Sequence, residues 1–151
     1  MKRLKIYLAS SWKNYEGVRC LANHLRKQGH EVDDFTDDSQ GRFVFSWIEI
    51  TEDAAKLNAL EMMKDSRAMK AFNEDKSRID WCNVLVCILP CGLSAHMELG
   101  YAAGTGKKVI VYAPGGFEPG EWEVMYGFAD ALTDDLFLLR KILREIEASN
   151  V

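Results

Sequence analysis

With 151 residues, 48% of them hydrophobic and 28% charged, the chain has the length and composition of one globular domain, 1–151, with a sizeable core. Its formal charge of −4 argues against nucleic acid or an anionic membrane as the main partner, and no apolar run approaches the ~20 residues that span a bilayer. The opening MKRLKIYLAS moves directly into a strand pattern rather than a secretory signal. Without such a signal, the four cysteines (Cys20, Cys82, Cys87 and Cys91) do not read as a disulfide framework, and a reducing cytoplasm is expected.

Residues 3–9 alternate in polarity and end in small side chains, which predicts a first strand. The loop SSWKN (residues 10–14) leads into helical periodicity over 15–28, carried by Val18, Leu21, Ala22 and Leu25. Gly29 follows where a left-handed glycine belongs. Residues 30–35 predict a second, shorter strand, completing a β-α-β unit with a right-handed crossover. Over 36–50, DDSQG reads as loop, while RFVFSWIEI admits strand, turn or aromatic lid. Residues 51–80 are rich in helix formers and predict one long helix or two consecutive ones ending near Asp80. A run of apolar and β-branched residues over 84–89 reads as a strand buried on both faces. After the turn at 90–92, Ser94 takes the N-cap position of a helix whose first turn is 95–98. Gly100, Ala102, Ala103 and Gly104 are small enough for that helix to lie close on a sheet. Residues 108–113 predict a fourth strand, 114–122 a Gly/Pro-rich loop, 123–129 a short helix and 131–133 a fifth strand. Asp134 and Asp135 cap a last helix with the apolar stripe Leu136, Leu139, Leu143 and Ile146.

Alternation of strands and helices predicts a parallel sheet covered on both faces, a flavodoxin-like α/β three-layer sandwich of strand order 2-1-3-4-5. Its crevice opens between the ends of strands one and three. The loops at residues 9–12 and 90–98 therefore converge on one site, with Glu98 at its edge. Glu98 is either a first-turn acid complementing the helix dipole or a desolvated carboxylate of the kind that marks functional sites. Tyr7 is either a sheet-face aromatic or a hydroxyl that a carboxylate across the crevice would satisfy.

Other constellations are weaker. His96-x-Glu98 matches the H-x-E of zinc deaminases, but no cysteine follows Glu98 to complete that signature. A zinc site from Cys87, Cys91 and His96 competes with Cys87 being a small apolar residue inside a buried strand. No metal or cofactor is therefore expected. The run 104–107 (GTGK) follows a helix and precedes a strand, the reverse of a phosphate loop. Ser10 and Ser11 could cradle an anion with their backbone N–H groups. Trp12, Trp47 and Trp122 either stack on a base or simply pack. His24 and His30 show no evident partner.

Three patches, KIYLASSW at the start, FNED before the third strand and SAHMELGYAAGTGKKVIVY, resemble the nucleoside 2-deoxyribosyltransferase family, whose relatives include the 2′-deoxynucleoside 5′-monophosphate N-glycosidases. The resemblance implies the same flavodoxin-like fold and cleavage of an N-glycosidic bond. Glu98 falls on the family's nucleophile, which attacks the anomeric carbon of the sugar. Tyr7 falls on the tyrosine that orients it, Asp75 on an aspartate near the nucleobase, and Trp12 on an aromatic covering the base. The chain departs from the family at Gly92, where the transferases carry Asp and the hydrolases Ser. It departs again at Trp122, where a neighbouring subunit donates Asn or Ser. With Ser10, Ser11, Ser94 and His96, these positions complete the candidate substrate contacts. The expectation is an enzyme acting on a small nucleoside or nucleotide, assembled as a homodimer or larger. The alternative is a non-catalytic nucleotide-binding module on the same fold.

Overall fold

The computed structural model describes residues 3–46, 51–53 and 56–149; the expected aromatic lid lies partly, and Trp47 wholly, outside them. Strands β1 (Lys5–Ala9), β2 (Glu31–Asp33), β3 (Val84–Ile88), β4 (Lys108–Tyr112) and β5 (Ala131–Thr133) form one parallel sheet in the order β2-β1-β3-β4-β5. Helices α1 (Tyr15–Lys27), α2 (Ala59–Met62), α3 (Ser66–Trp81), α4 (Leu93–Gly104) and α5 (Leu136–Ser149) complete the layers, with short 3-10 turns at Trp12–Asn14 and Val124–Phe128. This is the flavodoxin-like sandwich expected from the alternating pattern.

Strand periodicity sorts the apolar residues into two cores. Ile6, Leu8, Val84, Val86 and Ile110 pack with Val18, Leu21 and Leu25 of α1 and with Leu139 and Leu143 of α5. Tyr7, Leu85, Cys87, Val109 and Val111 take the opposite side, with Ile79 of α3 and with Ala95, Leu99 and Ala102 of α4. Each fully buried Leu or Ile contributes roughly 1.5–3 kcal/mol, so both helical layers are anchored by burial.

Local chemistry sets the element ends. Gly29 leaves α1 with φ +95°, where a side chain would be strained. Asn58 and Asp65 cap α2 and α3 by accepting backbone N–H bonds, and Asp135 does the same for α5. The expected helical stretch 51–80 is two helices, the first beginning only at Ala59. His30 is buried, with Nδ1 facing Glu147 Oε1 at 3.5 Å.

Two local expectations fail. Ser94 does not cap α4: the helix starts at Leu93, with Gly92 as N-cap and no side-chain cap bond. Gly92 takes the extended conformation with φ −98° and ψ −160°, which lets the helix begin before Ser94 is reached. Nor do Gly100 and Gly104 bring α4 against the sheet, because a Cβ added to either meets no atom within 4 Å. The close approach is made by Ala95, Leu99 and Ala102, all buried.

Candidate active site

Parallel register places Tyr7 of β1 between Asp33 of β2 and Leu85 of β3. In-register neighbours share a face, so Tyr7 and Asp33 both point to the side covered by α3 and α4. From α4 above, Glu98 reaches down, and the Tyr7 hydroxyl donates a hydrogen bond to its Oε2. Burial raises the Tyr7 pKa well above its ordinary value, and the Glu98 charge adds to this, so Tyr7 stays a donor.

Because α4 starts at Leu93, Glu98 sits in the second turn, and the first turn holds no acid. The helix dipole acts mainly within the first turn, so it does not hold Glu98 ionised as the sequence suggested. Burial pushes the Glu98 pKa up to about 8, against the Tyr7 hydrogen bond, with the charge of Asp75 adding to the rise. Glu98 keeps one side open to solvent within this crowded pocket.

Asp75, on α3, is the next carboxylate. Arg42 donates to it from Nη2 at 2.8 Å and grips Asp33 through Nε and Nη2 at 3.2 and 3.1 Å. A third Arg42 nitrogen, Nη1, donates to the Phe43 carbonyl at 2.9 Å. Burial alone would lower the Arg42 pKa, but Asp33 and then Asp75 override it and hold the guanidinium charged. Burial raises the Asp75 pKa, and Arg42 only partly counters this. The site thus joins Glu98 on α4, Asp75 on α3, Tyr7 and Asp33 on adjacent strands, and a cation from the irregular segment 36–46.

The remaining candidates divide. Ser10, at the end of β1, donates to the Ile88 carbonyl at 2.8 Å and so ties the first loop to the end of β3. Ser11 caps the turn Trp12–Asn14, accepting from the Lys13 N–H at 3.2 Å. Trp12 is 39% exposed and meets Phe35 edge-on at 5.5 Å, which leaves ring surface free. Gly92 and Ser94 are exposed at the lip. His96 is stacked on Tyr126 at 5.6 Å between centroids, with Nε2 3.0 Å from the Tyr126 hydroxyl. Trp122 is 75% exposed, in the loop before that turn.

Arg42, Asp33 and Tyr126 are site residues that sequence reasoning missed. Asp33 had a signal, since an acid inside a predicted parallel strand is buried and needs a partner. Arg42 had none, lying in a loop without periodicity. A cleft of about 380 Å³ runs along β2, lined by Arg26, Asp34, Arg42 and Arg78 among others, without Tyr7 or Glu98. Its Arg42 and Asp33 are already paired with each other, so the chemistry points to the Tyr7–Glu98 side. Among the described residues no cluster of His, Cys, Asp or Glu could hold a metal ion, and no helix is long and apolar enough to cross a membrane.

The fold and site define a flavodoxin-like sandwich with a half-buried carboxylate at the topological switch point. No protein-family model matches the sequence, and no curated protein matches it. Among solved structures, the chain is similar to the 2-deoxyribosyltransferase of the psychrotolerant bacterium Bacillus psychrosaccharolyticus, at 21% identity and a TM-score of 0.65 over 89% of this chain and 88% of that one. It is also similar to the CMP N-glycosidase of Clostridium botulinum, at 16% identity and a TM-score of 0.55 over 95% of this chain and 99% of that one. At these identities the likeness establishes the shared fold.

Proposed function

We propose that the protein belongs with the nucleoside 2-deoxyribosyltransferases and their N-glycosidase relatives, and that it cleaves or transfers at the N-glycosidic bond of a nucleoside or nucleoside 5′-monophosphate. The observation that carries this reading is the Glu98 carboxylate, enclosed on α4 and held by the Tyr7 hydroxyl. The two solved proteins named above bear names that specify deoxyribosyl transfer and N-glycoside hydrolysis.

In the proposed reaction, one Glu98 oxygen attacks the anomeric carbon as the bond to the base breaks through an oxocarbenium-like state. Tyr7 holds the other oxygen and fixes the direction of attack. The departing base takes a proton or hydrogen bond from Asp75, whose raised pKa suits a proton donor. A second base, or water, then attacks the same carbon and releases Glu98. Ser94 and the N–H groups that open α4 are the proposed seat for a 5′-phosphate. Trp12 is the proposed cover for the base, with Ser10 and Ser11 shaping the same loop.

The second reading, a non-catalytic nucleotide-binding module, draws on the exposed Gly92 and Trp122, where the resembled enzymes carry polar side chains. The two are separated by incubating the protein with a panel of ribo- and deoxyribonucleosides and their 5′-monophosphates, with and without an acceptor base. Chromatography then measures free or exchanged base. Release or exchange from any member supports the enzyme. Binding of a panel member with no base released from any supports the module.

A further inference from the structure

Beside Glu98 lies a pair of thiols that the proposed reaction does not use. Cys87 of β3 is buried in the same core as Tyr7, and its Sγ lies 3.6 Å from that of Cys91, which is partly exposed just beyond the strand. On the other side of Cys91 stands His96, with Nδ1 3.7 Å from the sulfur and 2.8 Å from the Gly92 carbonyl oxygen. A carbonyl only accepts, so Nδ1 carries the ring proton, and Nε2 accepts from the Tyr126 hydroxyl. The Cys91 sulfur therefore faces the imidazole N–H, shared with the Gly92 carbonyl, and the Cys87 sulfur, and when the Cys87 thiol is the donor both contacts favour the Cys91 thiolate.

We propose that Cys91 and Cys87 form a peroxide-oxidisable dithiol at the mouth of the site, in which Cys91 is oxidised first and Cys87 resolves it to a disulfide that slows turnover. The Cys91 pKa is lowered, by the Cys87 hydrogen bond first and by His96 after it, against burial. The Cys91 thiolate attacks one peroxide oxygen, breaking the O–O bond to give a sulfenic acid and hydroxide. The Cys87 thiol then attacks the sulfenic sulfur, the S–O bond breaks, and water leaves with the thiol's proton. Two electrons pass from the sulfurs to the peroxide, the only co-reactant. The two sulfurs lie roughly 1.5 Å beyond bonding distance, within the reach of side-chain rotation. Closure draws the turn at residues 89–92 onto β3 and shifts the start of α4, which carries His96 and Glu98. This effect on turnover rests on the reading of Glu98 as nucleophile; the pairing of the thiols does not.

The test treats reduced protein with hydrogen peroxide, alkylates the remaining thiols, and digests it for mass spectrometry. The peptide spanning 87 and 91 is expected two hydrogens lighter and unalkylated, with dithiothreitol reversing the change. In Cys87→Ala the reaction stops at a Cys91 sulfenic acid that dimedone traps. His96→Gln slows oxidation roughly threefold at neutral pH, the gain in thiolate fraction being partly offset by lower nucleophilicity. Turnover falls by roughly a hundredfold on oxidation, the cost of a misplacement of about 1 Å, and returns with dithiothreitol. Cys91→Ser keeps its activity through the same treatment. The proposal is overturned if Cys87 and Cys91 stay alkylatable, if Cys20 or Cys82 is consumed first, or if the disulfide forms without a change in turnover. Reduced protein that releases no base from any substrate counts instead against the catalytic reading, and the mass measurement still decides the pairing.

Discussion

To act as the proposed nucleophile Glu98 must be a carboxylate, yet its surroundings raise its pKa to about 8, chiefly by burial. The consequence for rate has a definite sign. Ionisation of Glu98 should make turnover rise with pH, by about tenfold per unit well below that value, and loss of the Asp75 proton should bend the profile down again at higher pH. A rate profile flat from pH 6 to 9 would contradict this. Tyr7→Phe removes a hydrogen bond to the charged form, a loss of about 1.5–3 kcal/mol. That moves the limb to higher pH by roughly 1–2 units. Activity at neutral pH then falls by about tenfold or more, with much of it recovered at alkaline pH. If instead the loss is the same at every pH, Tyr7 acts on orientation alone. Stability has the opposite dependence. The folded pKa lies above the unfolded value of 4.5, so the folded state holds its proton more tightly. Its contribution is fully present below that unfolded value and is lost as pH rises toward 8. Glu98→Gln therefore raises the melting temperature at neutral pH, by up to about ten degrees for a gain of up to roughly 3 kcal/mol.

At the scale of elements, α4 carries a test of how it packs. Gly100 lies inside the helix with open space where a Cβ would go. Gly100→Ala should stabilise by about 0.5–1 kcal/mol, measured by denaturant melts, and leave turnover unchanged. Destabilisation would mean that the glycine is needed for an approach the fold does not otherwise reveal. The same helix marks the limit of what the sequence disclosed. Strands β3 and β4 were legible because runs of Val, Ile and Leu bounded by turn residues have few other uses, and all of β3 is buried. The cap was misread because a serine near a helix start is a good cap by type, yet Gly92 reaches the extended cap conformation first. That two-residue displacement moved Glu98 out of the first turn and reversed the expected influence on its charge. Tyr7 was legible as a strand hydroxyl that a carboxylate across the crevice would satisfy, Asp75 only through the family resemblance, and the fold brings both toward Glu98. The Asp33–Arg42–Asp75 link could not be read, since it pairs a loop cation with acids 9 residues before it and 33 residues after it. Only the folded chain brings them together.

At the scale of the whole molecule, one group of exposed apolar side chains lies where α4 meets the 3-10 turn Val124–Phe128. Leu93 and Met97 of α4 are 85% and 76% exposed, and Val124, Met125 and Phe128 of the neighbouring 3-10 turn are also exposed. His96 and Tyr126 join the two elements beneath them. A surface of this kind suits a protein interface, and we expect it to be covered by a second copy of the chain beside the mouth of the site. Light scattering should give at least twice the chain mass of 17.1 kDa. A mass near 17.1 kDa at working concentration would leave that face to another partner.

The proposed role of Glu98 as the nucleophile for an N-glycosidic bond is tested most directly by base release from parent protein and Glu98→Gln, side by side near pH 8. Circular dichroism confirms that both are folded. The parent should release or exchange base from at least one nucleoside or 5′-monophosphate. Folded Glu98→Gln should lose that activity by several orders of magnitude, at about tenfold for each 1.4 kcal/mol of lost transition-state stabilisation. Near-parental turnover in the variant, or a parent that binds nucleotides and releases no base from any of them, would contradict that role.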